Sequence, residues 1–77
     1  MGFEYKIAFR LGDPSELLAF LDRLTGSGGR EPTDYRVALE DDGFYFCDFT
    51  KSDVSSRVFR RLVDEALNHS EVVIHEL

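Results

Sequence analysis

Cys47, His69 and His75 are the only soft metal donors in this chain of 77 residues. A zinc site draws its ligands from paired spacings such as CxxC or HxxxH, and neither occurs. No metal and no cofactor are expected, and a lone Cys47 reads as a small buried apolar residue. Cys47 with His75, or Ser55 or Ser56 with His69, can be drawn as nucleophile and base, but nothing supplies a third member or an oxyanion hole. No catalytic residue is assigned, and the chain reads as a non-enzyme. Glu40-Asp41-Asp42 sets three carboxylates side by side without calcium-loop spacing, which suits a turn and solubility. Gly26-Ser27-Gly28-Gly29-Arg30 lacks the Gly-Lys-Ser/Thr ending of a phosphate loop. It also leaves a helix instead of opening one, so it reads as a connector.

The elements that position these groups must fit into one small domain. With 43% hydrophobic and 31% charged residues the composition is that of a folded protein. A chain this short buries only roughly 60% of its unfolded surface, so it has little stability to spare. The formal net charge of −6 opposes nucleic-acid backbones and anionic membranes and is compatible with basic protein partners. A single cysteine allows no internal disulfide, which suits a reducing compartment. The opening residues lack a signal-peptide pattern, and no apolar run reaches the roughly 20 residues of a membrane span. A cytoplasmic protein without membrane contact is expected.

Residues 3–10 alternate cleanly: Phe3, Tyr5, Ile7 and Phe9 on one face, Glu4, Lys6, Ala8 and Arg10 on the other. Asp13-Pro14-Ser15-Glu16 opens a helix, with Asp13 as cap, Pro14 in the first turn and Glu16 closing a capping box. Leu17, Phe20, Leu21 and Leu24 follow at helical spacing, and Gly26 ends the run. Residues 25–33, rich in Gly, Ser and Pro, are a connection. A second strand is expected over 34–40, with Tyr35, Val37 and Leu39 buried. Thr50-Lys51-Ser52-Asp53 matches a second capping box. Val54, Val58, Leu62 and Ala66, broadened by Phe59, Val63 and Leu67, give a helix over 51–68. Asn68 suits its end because asparagine tolerates a left-handed cap, and His69 can meet the last carbonyls. Val72-Val73-Ile74 opens a last strand.

The most aromatic stretch, residues 43–49, is the third strand, and the phase of its side chains decides the functional reading. With Asp41-Asp42-Gly43 as a three-residue loop, Glu40 pairs with Phe44, Ala38 with Phe46 and Arg36 with Asp48. Tyr45, Cys47 and Phe49 then enter the core, and Phe44 and Phe46 face away from it. The opposite phase would bury Asp48, at considerable cost.

The order β-α-β-β-α-β resembles the ferredoxin-like two-layer sandwich: α+β, a four-stranded antiparallel sheet in order 4-1-3-2, both helices on one face. This resemblance is one of topology and implies no activity. The expected interaction surface is the bare sheet face: Phe44 and Phe46 as anchors beside Ala8 and Ala38, with Arg36 and Asp48 setting orientation. Phe46→Glu should then leave the fold intact and abolish association. The partner is another protein or a second copy. A small-ligand regulatory domain is the alternative, with a pocket near residues 11–14 and the Gly-rich loop. An RNA-binding domain is a further one, weakened by the missing aromatic on the first strand and the missing Lys/Arg-Gly-Phe-type signature. The acylphosphatase version of the fold has a phosphate-cradling loop after its first strand; here Arg10-Leu11-Gly12-Asp13 has the arginine without the glycine-rich cradle.

Overall fold

The computed structural model describes residues 2–26 and 34–77. Six elements follow one another: β1 (Phe3–Ala8), α1 (Pro14–Thr25), β2 (Tyr35–Glu40), β3 (Gly43–Asp48), α2 (Asp53–Leu67) and β4 (Val73–Glu76). The strands form one antiparallel sheet in the order β2-β3-β1-β4, the ferredoxin-like arrangement read from its other edge. Helix α1 packs on β2, and α2 packs on β1 and β3.

Local chemistry sets the helix ends. Asp13 accepts a hydrogen bond from the Ser15 amide at 3.0 Å, Pro14 occupies the first turn, and Gly26 closes α1 at φ +83°. Leu17, Phe20 and Leu21 from α1 meet Val58, Leu62 and Ala66 from α2 over Ile7, Phe9, Tyr35, Phe44 and Phe46 of the sheet. The expected start of α2 is corrected, and its end falls at Asn68 as expected but without the left-handed cap. Its N-terminal cap is Ser52, whose hydroxyl oxygen accepts from the Ser55 amide at 3.2 Å, and the preceding Lys51 has a left-handed φ of +51°. That residue ends any helical path from Thr50, so the capping pattern starting there goes unused. At the other end Asn68 is right-handed, with φ −70°, and the His69 ring meets the Glu65 carboxylate.

The third strand has the opposite phase to the one expected. Asp41 and Asp42 alone make the turn, and Gly43 already pairs with Glu40. Leu39 faces Phe44, Val37 faces Phe46, and Tyr35 faces Asp48. Phe44 and Phe46 therefore lie beneath the helices, 0% and 1% exposed. The physical reason is steric. A Cβ on Gly43 would sit 2.0 Å from the Ile7 carbonyl oxygen, and its φ of +152° is one that other residues rarely adopt. Neither aspartate has a positive φ. The twist that a two-residue hairpin normally takes from left-handed turn residues is taken up at Gly43 instead. The cost assigned to Asp48 is also small in place. It ends the strand only half-buried, and its Oδ1 accepts from the amides of Thr50 (3.2 Å) and Lys51 (2.7 Å).

Candidate functional site

Because Tyr5, Ile7, Phe44, Phe46 and Tyr35 face the helices, strand alternation puts the other set on the bare face. That set is Glu4, Lys6 and Ala8 on β1, Gly43, Tyr45 and Cys47 on β3, Arg36, Ala38 and Glu40 on β2, and Val73 and His75 on β4. Of the residues expected there, Ala8, Ala38 and Arg36 lie on this face. Phe44, Phe46 and Asp48 lie on the other side.

Tyr45 and Phe49 are the aromatics that the bare face does carry, and the expected register had placed both inside. Tyr45 is half-buried, and its hydroxyl donates to Glu4 Oε1 at 2.5 Å. The carboxylate, together with burial, raises the phenol well above its ordinary value of 10.0. Lys6 bridges Glu40 and Asp42, the latter at 2.7 Å. Those hydrogen bonds raise Lys6 above 10.5 and hold Asp42 below 3.8. Phe49 follows β3 in the same phase as Tyr45 and Cys47 and is 45% exposed. Cys47 is only 5% exposed although no helix covers it. Gly2 lies over its Sγ, where a Cβ would come within 2.4 Å, and Phe49 flanks the same spot. One local signal bore on the objection to this phase without deciding it: Asp48-Phe49-Thr50 is an Asx-type pattern that satisfies a carboxylate at a strand end.

On the helix side, Tyr5, Phe46, Asp48, Ser56 and Phe59 line a cleft of about 260 Å³. It sits at the end of the sheet where β1 begins and β3 finishes. The pocket expected from the sequence was assigned to residues 11–14, beyond the other end of β1, and to the Gly-rich loop; residues 27–33 of that loop lie outside the described residues. The contacts of His69 and its neighbour Ser70 are structural. His69 Nε2 bonds Glu65 at 2.9 Å, its ring packs 5.7 Å from that of Phe9, and the Ser70 hydroxyl accepts from the Arg10 amide at 2.7 Å. These contacts fasten the end of α2 to the segment after β1. Among the described residues no group of three or more His, Cys, Asp or Glu is placed to hold a metal ion. No helix among them is long and apolar enough to cross a membrane.

Comparison of the chain with protein-family models, with curated proteins and with solved structures found no match, so its chemistry rests on its own residues.

Proposed function

We propose that this chain is a protein-interaction module whose bare sheet face packs against a second copy of itself or against another protein. The observation that supports this reading is a set of exposed apolar side chains on a face no helix covers. Phe49, Val73 and Leu77 are 45%, 56% and 64% exposed; Ala8 pairs with Val73 and Ala38 with Tyr45, and Lys6 and His75 stand among them. The nearest charges are already partnered within the chain, Lys6 by Glu40 and Asp42, and Glu4 by the Tyr45 hydroxyl. A partner covering these side chains would meet Lys6 and Glu4 already engaged by their own contacts, which lowers the desolvation cost there. Exposed Arg36 and Glu40 on the outer strand supply rim charges of both signs.

Sedimentation across a wide concentration range tests the reading. Wild type should gain mass with concentration, and Phe49→Asp combined with Val73→Glu should stay monomeric with an unchanged circular-dichroism spectrum. A wild type that remains monomeric throughout and purifies from cell extract without a companion would remove the interface. The RNA reading gains no support, since the outward Tyr45 is tied to a carboxylate and the net charge is −6. The small-ligand reading has one observation in its favour, the cleft beside Asp48.

A further inference from the structure

Asp48 is a carboxylate on the helix side of a central strand, with aromatic neighbours on both sides: it pairs with Phe3 on β1 and with Tyr35 on β2. Its Oδ1 is held by the amides of Thr50 and Lys51, which fix the group at the rim of the cleft. Three rings converge next to it. Phe59 lies 5.3 Å from Tyr5 at 60° and 5.3 Å from Phe46 at 57°. Phe46 is the closed floor, Tyr5 and Phe59 are half-buried walls, and Ser56 stands exposed at the mouth.

A volume of about 260 Å³ is below the roughly 300 Å³ at which sites for drug-sized ligands begin. The cleft has room for a small organic ion of about the size of choline. Aromatic faces present the negative part of their quadrupole, and the carboxylate adds a full charge. Both select a cation, and the apolar walls select one with an apolar surface. A compact, strongly hydrated ion would give up its water for little return. A quaternary ammonium spreads its charge over methyl groups that fit against rings. The same end of the molecule already makes this contact once, with the Lys51 ammonium 3.8 Å from the centroid of the Phe3 ring. The net charge of −6 raises the local concentration of cations.

We propose that this cleft is a binding site for a small quaternary ammonium ion, seated on the Phe59 and Tyr5 rings with its charge beside Asp48. The site does not depend on the sheet-face interface, which lies on the opposite side of the sheet.

The test is an NMR titration of the isotope-labelled chain with choline, and separately with the neutral alcohol that has carbon in place of its nitrogen. Choline should give saturable shifts at Tyr5, Phe46, Asp48 and Phe59, and the neutral isostere should bind about tenfold more weakly. Asp48→Asn and Phe59→Leu should each weaken choline about tenfold. Glu71→Gln, which removes the same charge at an exposed position away from the cleft, should leave its affinity unchanged. Equal binding of the two probes, shifts that never saturate, or an equal loss with Glu71→Gln would each overturn the site. If Asp48→Asn disturbs the spectrum by itself, the comparison of probes on wild type still decides.

Discussion

At the scale of single residues, the third strand turns on a choice between two interleaved sets of side chains. Phe44 and Phe46 occupy the core, where Phe44 packs 5.0 Å from Phe9 and Phe46 packs 6.0 Å from Tyr35. Phe44→Ala or Phe46→Ala should each cost about 3–5 kcal/mol in chemical denaturation, as expected for deleting a buried ring. Ala38→Ser, on the bare face, should stay within about 0.5 kcal/mol. The strand itself was legible in the sequence, but its phase was not. Alternation shows that two faces exist and does not say which face a two-aspartate turn delivers. The deciding contact joins Gly43 to the backbone of Ile7, 36 residues away in sequence, and no local pattern contains it. The candidate face inherited that error. Its small and basic members, Ala8, Ala38 and Arg36, depended on β1 and β2, whose phases were plain; its anchors depended on β3.

At the scale of elements, the helices were legible wherever their signals were local. Asp13 and Pro14 start α1 because a short acceptor and a fixed φ act on their immediate neighbours. The start of α2 offered two hydroxyl residues two positions apart, and only the backbone of Lys51 separates them. Ser52→Ala should therefore cost about 1 kcal/mol in thermal or urea unfolding, while Thr50→Ala stays within about 0.5 kcal/mol. Equal costs would mean that the helix begins at Thr50 after all. Ser55 also bears on this end. It is fully buried, yet its hydroxyl donates to the Ser52 carbonyl at 3.0 Å, so the helix start carries a polar side chain into the core without leaving it unpaired.

At the scale of the whole molecule, charge and connectivity set how the fold responds to its surroundings. Lys6, Tyr35 and Tyr45 are all raised above their ordinary values: Lys6 by its bonds to Asp42 and Glu40, Tyr35 by burial, Tyr45 by its bond to Glu4. Each contributes stability that is fully present below pH 10.0 to 10.5 and is lost as pH rises through the raised folded value. Asp42 has the opposite sign. Its contribution is present above 3.8 and is lost as pH falls through its lowered folded value. Melting temperature should thus decline on the alkaline side, and Tyr45→Phe should reduce that decline. A wild-type curve still flat well above pH 10.5 would count against the Glu4–Tyr45 bond. The first and last strands of the sheet are also neighbours. β4 runs antiparallel to β1, and the Leu77 amide donates to the Glu4 carbonyl at 2.9 Å. Handles fixed at Gly2 and Leu77 would therefore pull on neighbouring strands from the same end. Tension would fall on the inter-strand bonds one after another, as on a zip, and never on all of them in shear. An optical trap should see β4 peel away at low force, and handles at Gly2 and Asp48, which also lie at one end of an antiparallel pair, should unzip the longer β1–β3 seam in the same way.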